Sequence, residues 1–124
     1  MDVSSEKQPQ DSPGPGQDAD SRACVQYAVG DAWVVVAQGE VDMTTIAPLA
    51  DALNQAAASH PTVVLDASSL TFADSTFLNL LLHVHKATCL RIAAPTHQLM
   101  RLFQLTAVDT VLDVRATLAA ATRP

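Results

Sequence analysis

The densest polar chemistry in this chain is Phe72-Ala73-Asp74-Ser75-Thr76-Phe77-Leu78, where a carboxylate is followed directly by two hydroxyls. An acid beside hydroxyls can cap a helix, and a hydroxyl can accept a phosphoryl group. A cap needs one such side chain, so Asp74, Ser75 and Thr76 together exceed that requirement. The other chemistry-bearing residues are scattered. His83 and His85 lie two apart on a helical segment, about 200° around its axis, and cannot ligate one metal together. His85 fits a packed or C-capping role, and His60 and His97 fall at helix ends. Cys24 and Cys89 have neither CxxC nor Cys/His ligand spacing and read as free thiols of a reducing compartment. A Ser–His–Asp triad drawn from Ser75, Asp66 and a histidine has no supporting spacing, and the Gly-x-Ser-x-Gly elbow is absent. No glycine follows Gly39, which removes the phosphate-binding loops. No catalytic residue, metal or cofactor is expected.

The elements that must position this segment follow from composition and pattern. A length of 124 residues allows one domain. Apolar residues are 48% and aromatics only 4%, so the core must be Leu, Val and Ala. A net charge of −6 with seven Lys and Arg leaves no basic face, which excludes nucleic acid as a partner. No apolar run approaches the roughly 20 residues that span a bilayer, so no membrane insertion is expected. With no secretory h-region, a cytoplasmic location is expected. Residues 1–22 hold three prolines, two glycines and five acids with only Val3 and Ala19 as aliphatic residues. Such a stretch cannot offset its ordering entropy and reads as a disordered tail, leaving 23–124 as the domain.

Within the domain, Cys24–Val29 and Trp33–Gln38 flank Gly30-Asp31 as a hairpin. Thr44 and Thr45 are N-cap candidates for an amphipathic helix with Pro48 in its first turn. Thr62–Leu65 is a covered central strand that ends in Asp66, whose carboxylate should bind loop amides between Ala67 and Leu70. A loop, 67–73, leads into a helix from Asp74 to about Lys86. Leu90–Ala93 is a third core strand, Thr96 caps a helix from His97 to Leu105, Val111–Val114 is a last strand, and Thr117–Ala121 a short helix. Alternating strands and helices imply an α/β fold: a mixed, mostly parallel sheet of about four or five strands with helices mainly on one side. Phe77, Leu78, Leu80, Leu81, Leu82 and Val84 cover an arc of about 200°, wider than one sheet contact needs. Leu78 and Leu82 are therefore expected to stay partly exposed beside the hydroxyls as a protein-binding patch.

The chain resembles the STAS family, named for sulfate transporters and anti-sigma-factor antagonists, over about Val25 to Ala121. The resemblance is carried by Gly39-Glu40-Val41-Asp42, the strand ending Val-Val-Leu-Asp66, Phe72-Ala73-Asp74-Ser75-Thr76, Pro95-Thr96 and Leu105-Thr106-Ala107-Val108-Asp109. It implies a STAS-like domain and a partner-switching role, in which the hydroxyl two after the Asp, Thr76, is phosphorylated. Ser75 is the alternate acceptor. The resemblance implies as partners an anti-sigma-factor serine kinase, which the unphosphorylated protein occupies, and a metal-dependent serine phosphatase that reverses the modification. Asp42 and Asp74 correspond to acidic positions flanking the site, and Ser75, Leu78 and Leu82 complete the expected contact surface. Where the family has Asp-Ser-Ser-Gly-Leu, this chain has Asp-Ser-Thr-Phe-Leu. The alternative role is a STAS subunit of an ABC-type lipid transporter, a structural partner with no phosphorylation switch.

Overall fold

Gly30 takes φ +57 at the first central position of a two-residue turn. That geometry matches strand twist and closes the hairpin of β1 (Gln26–Val29) and β2 (Ala32–Val41). The structure, a computed structural model, describes residues 24–123, so the expected tail lies outside the described residues. Beyond the hairpin the chain forms α1 (Ala47–Ser59), β3 (Thr62–Ala73), α2 (Ser75–Ala87), β4 (Cys89–Ala93), α3 (His97–Leu105), a 3-10 turn (Val108–Thr110), β5 (Asp113–Arg115) and α4 (Leu118–Thr122). The five strands lie in sequence order, antiparallel between β1 and β2 and parallel from β2 to β5. Right-handed crossovers between successive neighbours place α1, α2 and α3 on one face. There Val35, Val63, Leu65 and Ile92 meet Leu53, Phe77, Leu81 and Phe103 in the main core.

The opposite face carries a smaller core, Ala32, Val34, Val64 and Ala93 under Ala121 and Leu118 of α4. Two strand arginines hold α4 by its last carbonyls, as cations do at a helix C-terminus. Arg91 Nη1 donates to Ala121 O at 3.0 Å and to Arg123 O, and Arg115 Nη1 donates to Ala120 O at 3.0 Å. Arg115 also forks onto Asp113, at 2.6 and 3.0 Å.

Three expectations are corrected. Segment 67–73 is strand, not loop: it pairs with β2 as far as Val41↔Ala73, through register shifts between Val36 and Gln38 and between Gly39 and Glu40. Each shift leaves one extra residue in β3, so β3 bulges twice against β2, and Gly39 of β2 takes φ +71 beside the second shift. Neither Thr44 nor Thr45 caps α1; the N-cap is Ile46, without a side-chain bond, because Asp42 captures both threonines. The last strand begins at Asp113, since Val108–Thr110 winds into the 3-10 turn. Thr96 caps α3 as expected, accepting from Leu99 N at 3.2 Å, while Thr117, read as the first residue of the last helix, is its N-cap and accepts from Ala120 N at 3.0 Å. Asp66 accepts from the amide and hydroxyl of Ser68, inside the expected span.

Candidate functional site

The parallel register sets the site. Val41 and Ala73 are partners at the carboxyl ends of β2 and β3, so the chain leaves the sheet on adjacent strands at Asp42 and Asp74. This is the edge at which open α/β sheets place their binding sites. From Asp42 the chain makes a tight corner. Its Oδ1 accepts from Thr44 N (2.9 Å), Thr44 Oγ1 (2.8 Å), Thr45 N (3.2 Å) and Thr45 Oγ1 (3.2 Å). Thr45 Oγ1 in turn lies 2.9 Å from both Glu40 O and the Asp42 amide. The bonds from Thr44, then those from Thr45, hold the Asp42 carboxyl below the usual carboxylate range. Asp42 is thus an anion fixed in place, with Met43 at the tip of the corner 72% exposed.

Asp74 is extended and serves as N-cap of α2, its Oδ1 accepting from Thr76 N at 2.9 Å. Ser75 is exposed at the first helical position; Thr76 is half-buried with its amide committed to the cap. The helix end offers further unpaired amides and the positive end of the dipole, a setting that tolerates a phosphate ester.

Leu78 is not part of an exposed patch. It is only 6% exposed and packs in the main core, and Leu82 is half-buried against it. The wide apolar arc of α2 is used up because α1 packs alongside it while the sheet lies beneath. The apolar surface at this edge comes instead from Met43 and from Phe72, which is 52% exposed. Phe72 borders a groove of about 140 Å³ between the end of β3 and the start of α3, lined also by Leu70, Thr71, Thr96 and Leu99. The signal for Phe72 was its place two residues from Leu70 and directly beside the polar segment, but with 67–73 read as loop its direction was undefined.

The histidines stand apart from this edge or unclustered. His60 stacks on Trp33 at the start of β2, ring centroids 4.7 Å apart and planes 2° from parallel. Among the described residues no group of three His, Cys, Asp or Glu is placed to hold a metal, and no helix is long and apolar enough to cross a membrane.

A family model described as "Mlab, STAS domain" matches residues 24–115. An anti-sigma factor antagonist from Mycobacterium paratuberculosis superposes with a TM-score of 0.72 at 28% identity, over 80% of this chain and 89% of that one. The anti-sigma factor antagonist SpoIIAA in its unphosphorylated form gives 0.61 at 18% identity, over 79% of this chain and 92% of that one. The Bacillus cell-fate determinant SpoIIAA in its phosphorylated form gives 0.59 at 17%, over 79% and 96%; these two likenesses concern the fold. No curated protein matches the chain significantly.

Proposed function

The chain belongs to the STAS domain family, and on that premise we propose that it is an anti-sigma-factor antagonist: a cytoplasmic binding module, not an enzyme, that sequesters an anti-sigma-factor serine kinase and so frees a sigma factor. One observation carries the reading. The cap residue Asp74, an exposed hydroxyl at Ser75 and the fixed anion Asp42 share one sheet edge, in a chain 28% identical to an anti-sigma factor antagonist.

The switch is phosphorylation at Thr76 or Ser75. The kinase transfers the γ-phosphoryl group of its ATP to the hydroxyl oxygen, ADP leaves, and the hydroxyl proton passes to the kinase. A metal-dependent phosphatase hydrolyses the ester with water. The family resemblance points to Thr76; solvent exposure favours Ser75, whose hydroxyl a kinase reaches without displacing the helix start. A phosphate here sits at a helix N-terminus and leaves the fold intact. It adds about −1.5 to −2 charges beside two carboxylates, so its effect falls on binding.

The test is capture from the native host of the full chain and its Ser75→Ala, Thr76→Ala variant, with mass spectrometry of the partners and of peptide 72–86. The expected result is a kinase-type anti-sigma factor bound to both proteins and a phosphate on wild type alone. Capture of a membrane transporter with no phosphate at either residue overturns the reading in favour of a transporter subunit.

A further inference from the structure

The two edges of the sheet differ. β5 is three residues long and carries Asp113 and Arg115, bound to each other, with Arg115 also bound to α4. Short length and inward-committed charges are how natural sheets guard an edge against pairing. β1, Gln26-Tyr27-Ala28-Val29, has no charge and no proline, and among the described residues nothing pairs with its outer side.

Hydrogen-bond parity shows what that edge offers. Val36 N donates to Val25 O at 2.9 Å, so Val25 belongs to the residues bonded to β2, and Tyr27 and Val29 follow by alternation. The amides and carbonyls of Gln26 and Ala28 therefore point outward. On the sheet face that carries α4, Val25 and Tyr27 are 51% and 36% exposed, and Val29 is half-buried on the same side.

The geometry points to a homodimer in which β1 of a second copy pairs antiparallel with this strand about a two-fold axis at Tyr27. In that register the outward groups of Gln26 face those of Ala28 in the second copy, and the reverse, so all four backbone groups of each strand edge find partners. Tyr27 then lies opposite its own copy and Val25 opposite Val29 of the second copy, joining the exposed apolar side chains into one cross-strand row. Self-pairing brings no like charges together, because the strand carries none. The contact is isologous and consumes the one edge left open among the described residues of each copy, so assembly stops at two. Strands β2 of the two copies run in opposite directions, which sends the two Asp42/Asp74 corners to opposite ends of a ten-stranded sheet, both free. A four-residue pairing lies below the standard interface of about 800 Å² per partner, so the dimer is weak and exchanges rapidly.

Sedimentation velocity on the full chain between about 10 μM and 1 mM tests this, as a weak association falls in that range. The expected result is a concentration-dependent shift from monomer to dimer with no larger species. Tyr27→Lys places like charges opposite each other and is expected to weaken association by about tenfold or more. A second measurement does not depend on that variant folding. With Cys24 and Cys89 replaced by Ser, Tyr27→Cys meets its own copy about 4.5 Å away between Cα atoms, within disulfide reach. Gln26→Cys sits about 7–8 Å from its copy and is expected not to cross-link. A monomer throughout the range, equal cross-linking of the two cysteine variants, or a dimer seen only after deletion of residues 1–22 overturns the proposal.

Discussion

Asp42 and Asp74 stand next to each other across two parallel strands because Val41 and Ala73, the residues before them, are register partners. The pairing brings together acids that are 32 positions apart in sequence. Their roles differ: Asp42 folds its own corner by accepting from two threonines, while Asp74 starts a helix. The hydroxyls of Ser75 and Thr76 follow directly on one of these acids at the same sheet edge as the other, so a phosphate there adds to charge of the same sign.

Charge at the helix start should abolish partner binding without unfolding the domain. An uncompensated charge buried at an interface costs about 3–5 kcal/mol, or roughly a hundred- to several-thousand-fold in dissociation constant. Ser75→Glu and Thr76→Glu are expected to lose part of that affinity for the isolated kinase, with Ser75→Glu showing the larger loss, and the alanine variants to retain binding. Calorimetric titrations with thermal melts of each variant decide it. A glutamate variant that binds as tightly as wild type shows its position to be no switch.

Asp74→Ala removes the cap on α2 and is expected to destabilise the domain by about 0.5–2 kcal/mol. Asp74→Asn, which still accepts a hydrogen bond, should recover most of it. Urea denaturation midpoints of the three proteins measure the difference.

Acid should loosen the Asp42 corner. The folded-state pKa of Asp42 is lowered by the Thr44 bonds first, so its contribution is complete above the unfolded-state value of about 4 and is lost as pH falls through the lower folded value. Asp113 shifts in the same direction through its bond from Arg115, so a global melt mixes the two. Amide chemical shifts of Thr44 and Thr45 followed from pH 6 downward isolate Asp42. Movement centred above the ordinary carboxylate value would reverse the sign.

Leu78→Ala should destabilise the fold by about 2–5 kcal/mol, the cost of emptying a buried leucine site. Met43→Ala and Phe72→Ala should leave stability within about 1 kcal/mol, as befits side chains more than half exposed. Denaturation curves for the three separate core from surface at this edge.

Much of the architecture is legible from local signals alone. Thr96, Thr117 and Asp74 each cap the helix their neighbours announce, and the Gly30-Asp31 turn fixes the hairpin. What escapes is what depends on partners distant in sequence. Ser68, Ser69 and Thr71 break the apolar pattern, so 67–73 reads as loop; the length of β2, against which β3 bulges twice, is what gives those backbone groups a ladder. Thr44 and Thr45 have the right chemistry for a cap and lose that role to a carboxylate that reaches them first. Leu78 is apolar on a helix already rich in leucine, and only the flank of α1 makes it core. At the site, Asp74, Ser75 and Thr76 stand out as a cluster, while their meeting with Asp42 needs the strand register.

The stack of His60 on Trp33 has an experimental consequence. Trp33 is the sole tryptophan and sits eight residues before Val41 on β2, roughly 25 Å from the acidic corner by strand rise. Its indole Nε1 donates to Gln26 Oε1 at 2.8 Å, so its surroundings are set by the hairpin and the end of α1. Intrinsic emission therefore reports whether the domain is folded and stays blind to events at Asp42, Asp74 and Ser75. A labelled partner can be titrated at one end of the sheet while the other end certifies, in the same cuvette, that the protein beneath it is intact.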